Sequence, residues 1–183
     1  MKNVLVVSGH PRLDDDSVAN AAIVSELEGR EGYAVDRLDA LYPTFEFDVA
    51  AEQAKLVAAD VIVLQYPVFW YAMPALMQKW MEDVFLHGFS HGSSGKALVG
   101  KKLVVSLTTG APKAAYGEGA AVRIEDLLLP AKGTCALTGM GFAGYVHTCG
   151  VSYASRTSDE AREAIAAAGR DHAARLVELV ERL

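Results

Sequence analysis

Apolar positions fall along the chain in two alternating rhythms. Val4 to Val7 is a short run rich in β-branched residues and closed by Ser8-Gly9-His10-Pro11, the pattern of a buried strand followed by a loop. Ser17 to Glu28 has helical spacing, with Asp16 or Ser17 as its N-cap. Tyr33 to Leu38 reads as a second strand, Val49 to Ala59 as a helix, and Val61 to Leu64 as a wholly apolar strand stopping at Gln65-Tyr66-Pro67. Met73 to His87 predicts a helix with Pro74 in its first turn, where a missing N–H does no harm. Lys102 to Leu107 is a fourth strand ending at Thr108-Thr109-Gly110, and Gly144 to Tyr153 a fifth. Ser158 to Leu183 is a long closing helix with Ile165, Ala168, His172, Leu176, Leu179 and Leu183 at helical spacing.

Strands that alternate with helices imply βαβ units and a parallel sheet. Five strands in one domain, residues 1–183, fit an α/β sheet of flavodoxin-like order, 2-1-3-4-5, with helices on both faces. The six-stranded dinucleotide fold fits less well. Ligands of such sheets bind beyond the carboxyl ends of the strands, so the segments after the first, third and fourth strands carry the candidate chemistry.

The first segment leads into a helix through His10, Ser17, Val18, Ala19 and Asn20. A helix N-terminus with a hydroxyl beside it suits a phosphate. Asp14-Asp15-Asp16 would repel one and is expected on the solvent side of the loop. The second segment, Val68-Phe69-Trp70-Tyr71, places three consecutive aromatics at a strand end, where they cannot all enter one core. They suit a flat ligand. The third, Thr108-Thr109-Gly110-Ala111, offers hydroxyls and close backbone approach, with Tyr116 placed to reach back. A phosphate seat, a planar clamp and polar donors together describe a flavin mononucleotide site.

Charge and cysteine usage narrow the alternatives. Lys and Arg number 17 against 23 Asp and Glu, a net charge of -6, which excludes a non-specific nucleic-acid binder. Cys135 and Cys149 make no disulfide framework and read as reduced thiols. The first apolar run is too short for a signal peptide, and no run approaches the ~18 apolar residues of a membrane span. The expected location is cytoplasmic, with any membrane association through a partner. Gly139 to Gly144 matches G-x-G-x-x-G, but it precedes a strand-like stretch, the reverse of the dinucleotide context. Gly92-Ser93-Ser94-Gly95-Lys96 lacks the first glycine and the Ser/Thr of a phosphate loop. His147-x-Cys149 with distant Cys135 lacks a fourth ligand, so no metal is expected and these read as core residues.

The loops resemble those of the NAD(P)H:quinone oxidoreductase flavoproteins, above all the bacterial branch that includes ancillary subunits of glutathione-gated potassium-efflux systems. Gly9-His10-Pro11, Ser17-Val18-Ala19-Asn20, Leu41-Tyr42-Pro43, Ala51-Glu52-Gln53, Thr108-Thr109-Gly110 and, most specifically, Gln65 to Phe89 carry the likeness, which spans residues 4–116. The resemblance implies FMN, or alternatively FAD, with NAD(P)H as co-substrate and a quinone-type acceptor. It implies flavin contacts at His10, Ser17, Val18, Ala19, Asn20, Val68, Phe69, Trp70, Tyr71, Thr108, Thr109, Gly110 and Ala111, and a catalytic role for Tyr116. It also implies a homodimer with the flavin near the interface, and the apolar stripe from Met73 to Phe85 is compatible with both core and dimer contact. A membrane antiporter partner is a second implication. Two positions depart from the family: Ala111 replaces a second glycine, and Val122 stands where mammalian-type members pair the loop tyrosine with a histidine.

Overall fold

The computed structural model describes residues 2–183. Five parallel strands form one sheet in the order β2-β1-β3-β4-β5. They are β1 Val4–Ser8, β2 Tyr33–Arg37, β3 Val61–Pro67, β4 Lys102–Thr108 and β5 Gly141–Thr148. The register is continuous from Val4↔Val61 to Ser8↔Gln65 and from Val61↔Lys102 to Pro67↔Thr108. The ends of β1, β3 and β4 therefore emerge side by side.

Alternation along each strand divides the apolar side chains between two layers. Leu5, Val7, Ile62, Leu64, Leu103 and Val105 face one core, covered by α4 (Val49–Ala58), α5 (Ala75–Val84) and α7 (Leu129–Thr138). Val4, Val6, Val61, Val63 and Val104 face the other, covered by α2 (Ala19–Leu27) and α8 (Asp159–Glu181). A side chain at Gly169 would meet the Ala19 carbonyl at 2.6 Å, so the glycine lets α8 lie directly on α2. Single turns α1 (Leu13–Asp16), α3 (Leu38–Leu41) and α6 (Ile124–Leu127) complete the set.

Several expected boundaries move, each for a local reason. The helix expected over residues 17–28 starts at Ala19, because Ser17 is extended, with φ -124 and ψ 139, and separates it from α1. The helix expected over 73–87 contracts to α5, with Pro74 at its N-cap rather than in its first turn. The fifth strand runs over 141–148, not 144–153: Gly141 and Phe142 pair with Lys102 and Leu103 before an irregularity at Leu103/Val104. Helices α6 and α7 are not expected from the pattern. α7 buries Ala131, Cys135 and Thr138, side chains too small to mark an apolar face. Of the two readings of the Met73 to Phe85 stripe, core prevails, since Leu76, Met77, Trp80, Met81 and Val84 are all buried. Around it Glu52, fully buried, accepts hydrogen bonds from Trp80 Nε1 at 2.8 Å, Tyr42 at 2.8 Å and Lys55 at 2.6 Å. No helix among the described residues is long and apolar enough to cross a membrane.

Candidate functional site

A buried polar bracket ties the three strand ends together. Ser8 of β1 bonds Gln65 of β3 at 3.1 Å. Gln65 Nε2 donates to Asn20 Oδ1 at 2.7 Å, and Thr108 of β4 donates to the same oxygen at 3.0 Å. The Gly9 amide bonds the Gln65 carbonyl at 2.9 Å, and the Val68 amide the Thr108 carbonyl at 2.8 Å. A β-carbon on Gly9 would lie 2.7 Å from Met77, so only glycine lets the first loop cross α5 here. Asn20 is thus chiefly a bracket that fixes its neighbours.

That bracket orients Ser17. Its Oγ accepts from the Asn20 amide and from Asn20 Nδ2, both at 3.1 Å. With two bonds accepted, the hydroxyl proton is the group left to offer, so Ser17 is free to donate. Val18 and Ala19 stand at the same helix terminus, where first-turn amides have no helical partner. His10, buried, accepts from the Arg12 amide at Nδ1 over 3.1 Å, which puts its proton on Nε2. Burial lowers its pKa, and Asp16 and Asp39 only partly oppose this, so it is a neutral donor at pH 7. Asp14 turns outward and pairs with Arg37 at 2.8 Å. The donor set fits a phosphate; Asp14 of the acidic run turns away from it, whereas Asp16 stays close enough to act on His10.

The second loop is a two-residue turn. Phe69 and Ala72 exchange both backbone hydrogen bonds at 3.0 Å, and Trp70 and Tyr71 between them have φ of 50° and 63°. Left-handed conformations at both central residues match a type I′ turn, which Asn-Gly ordinarily fills. Each costs an L-residue roughly 1–2 kcal/mol. The strain holds three aromatic rings outward: Phe69 is 41%, Tyr71 61% and Trp70 95% exposed. Phe69 lies edge-on to His10 at 6.2 Å, joining this loop to the first.

The third loop is sewn to the chain that follows β5. The Thr109 amide bonds the Thr148 carbonyl at 2.9 Å, and the Val151 and Gly150 amides bond the Thr109 and Ala111 carbonyls at 3.2 and 3.0 Å. Because the Thr109 amide is committed, the backbone donors left in this segment are those of Gly110 and Ala111. Thr109 Oγ1 meets His147 Nε2 at 2.9 Å, and Tyr116 lies edge-on to that imidazole at 6.0 Å.

His147, read from the sequence as core, is therefore a neighbour of the site. It stands beside Tyr116 although Val122 does not supply a histidine. Burial, then Arg175, holds its pKa down. A groove of about 620 Å³ opens next to it, lined in part by Lys113, Tyr116, Tyr145 and Arg175. Arg156, from the loop before α8, also reaches the first loop and bonds the Asp16 carbonyl at 2.9 Å. Arg156 had no sequence signal, and His147 stood out only as part of an incomplete metal set, because both come from beyond the stretch that carries the motifs.

Fold and strand-end site together define a flavodoxin-like protein, and the chain belongs to the flavodoxin-like fold family, whose model matches residues 2–174. Among curated relatives it is similar to the glutathione-regulated potassium-efflux system ancillary protein KefF of Enterobacter sp. (strain 638). The two are 36% identical over 137 residues, covering 75% of this chain and 77% of that protein. General stress protein 14 of Treponema denticola, solved in complex with FMN, superposes with a TM-score of 0.82 at 29% identity, covering 97% of this chain and 99% of that one. An NADPH-quinone reductase of P. pentosaceus gives a TM-score of 0.75 at 27% identity, covering 94% and 98%.

Proposed function

We propose that the chain is an FMN-dependent NAD(P)H:quinone oxidoreductase. The observation that carries this reading is the convergence of a donor-poised Ser17, an outward aromatic turn and free amides on adjacent strand ends. The FMN-bound and quinone-reductase relatives support it. Ser17, the amides of Val18 and Ala19, and His10 hold the phosphate. Asn20 and Thr108 position them. Val68, Phe69, Trp70 and Tyr71 flank the ring, and Thr109, Gly110 and Ala111 bound its polar edge. When bound, the flavin supplies the two-electron chemistry, accepting hydride from a nicotinamide and delivering two electrons to a quinone. The two substrates take turns at one open face, giving ping-pong kinetics. Tyr116 contributes an O–H donor where negative charge grows.

A second reading rests on the curated relatives, which support it more directly than the enzymatic one. Three KefF proteins match at 36% identity. In this reading the chain is a cytoplasmic, flavin-bearing regulatory subunit held at the membrane by a potassium/proton antiporter. Purification with an integral membrane antiporter supports the second role, whereas quinone turnover by the isolated protein supports the first.

The absorbance spectrum of the purified protein and the mass of its released cofactor test the flavin itself. Tyr116→Phe tests the chemistry. A well-aligned donor is worth on the order of 10²-fold, and a donor on a loop between Gly110 and Gly117 less, so flavin is kept and hydride transfer slows roughly 3- to 30-fold. An unchanged rate of flavin reduction in stopped flow removes Tyr116 from the reaction.

A further inference from the structure

Among the described residues, Arg156 is a cation held in place without an anion. It follows the short turn Tyr153–Ser155 and precedes α8. One guanidinium nitrogen, Nη2, donates to the Asp16 carbonyl, the backbone atom adjoining Ser17. The carbon at the guanidinium centre lies 5.1 Å from the Tyr153 ring centroid, which backs it from one side. Its Nε is shut off from solvent and has no hydrogen-bond partner. Arginine carries five N–H donors and remains charged, and a buried charged donor left unpaired is costly. The protein spends one of those donors on the backbone and gives the side chain no carboxylate.

The surroundings indicate what the free donors face. Arg156 is close enough to His10 to be felt electrostatically by that imidazole, as are Asp16 and Asp39. His10 is neutral, so the donors gathered from His10 and Ser17 bring no net positive charge of their own. A phosphate monoester brings nearly two negative charges. Arg156 arrives from the other end of the sequence, anchored on the carbonyl that precedes the donor-poised serine.

We propose that Arg156 is the phosphate clamp of the cofactor site, closing over the first loop and pairing its unsatisfied guanidinium donors with the terminal phosphate of a flavin mononucleotide. The bond to Asp16 holds the guanidinium in register, and the phosphate pairs with the terminal N–H groups that this bond leaves free. The inference rests on the flavin reading and names the residue that separates a phosphorylated flavin from its dephosphorylated form.

The experiment titrates the flavin-free full-length protein with FMN and, separately, with riboflavin, following flavin fluorescence. Wild type is expected to prefer FMN. Arg156→Gln should weaken FMN roughly 10- to 100-fold, the range of a lost charge-assisted pair, and leave riboflavin within about 2-fold. Arg156→Lys, which keeps the charge without the fork, should recover part of the loss. If Arg156→Gln weakens both flavins alike, the residue is only a staple for the first loop and the proposal fails. It fails equally if the variant weakens neither, or if wild type binds riboflavin as tightly as FMN. A wild type that binds neither flavin overturns the functional reading itself, and this inference with it.

Discussion

At the scale of single residues, the site depends on which lone pairs and protons are already committed. Ser17 shows this most directly, since its oxygen caps the Asn20 amide while its proton stays free. Aspartate caps a helix as well as serine does. Ser17→Asp therefore keeps the bond to Asn20 and the start of α2, and changes only the sign of what faces the ligand. Two like charges 4 Å apart at an effective dielectric of about 20 repel by roughly 4 kcal/mol, so FMN should bind at least ~100-fold more weakly to a protein that still melts normally. A variant that purifies with its full complement of flavin would show that the phosphate sits elsewhere. The serine, the histidine and the asparagine were all legible from the sequence as polar groups at a strand end. Their division into donors and bracket was not, because it depends on Gln65 and Thr108, one strand and two strands away.

At the scale of elements, the strands follow from their apolar runs, and the aromatic loop follows from its three adjacent rings. The form of that loop does not, because nothing in Phe-Trp-Tyr suggests a turn that glycine and asparagine usually make. Its strain gives a test with opposite signs for fold and ligand. In Tyr71→Gly the φ of 63° is no longer costly, and a ring that is 61% exposed gives up little burial. Relief of up to about 1 kcal/mol should raise the melting temperature of the flavin-free protein by roughly 2–4 °C. The same change removes an aromatic wall and should lower flavin occupancy. A drop in both would mean that the turn is not strained in solution. What escaped the sequence altogether is α7 and the true start of β5. There, small residues and glycines carry the packing, and periodicity has little to register.

At the scale of the whole molecule, two properties depend on how the layers close. With the α5 stripe buried, the exposed apolar side chains that flank that helix are Phe69, Trp70, Tyr71 and Leu86, and they are the candidate surface for a second copy. Light scattering should give about twice 19.5 kDa, and a monomer that turns over quinone would remove the shared interface. The second property is acid sensitivity, set where α8 docks on the sheet. His172, wholly buried on α8, bonds Ser106 of β4 through Nε2 at 2.8 Å and Thr148 of β5 through Nδ1 at 2.9 Å. Burial, with Arg175 and His147 beside it, pushes its pKa down to about 3 from an ordinary 6.5. The folded state thus keeps this imidazole neutral where the unfolded chain protonates it. Stability from this group is complete above pH 6.5 and is lost as pH falls from there toward 3, at up to about 1.4 kcal/mol per pH unit. His10 and His147, also lowered, act in the same direction. Urea unfolding at pH 7.5 and 5.5 should show wild type losing about 1.4 kcal/mol to His172 over that interval. His172→Gln retains a donor and an acceptor between the two hydroxyls but cannot take up a proton. It should start less stable and lose less on acidification by about that amount. If both proteins lose the same stability between the two pH values, the clasp between α8 and the sheet does not titrate, and the acid sensitivity must arise elsewhere.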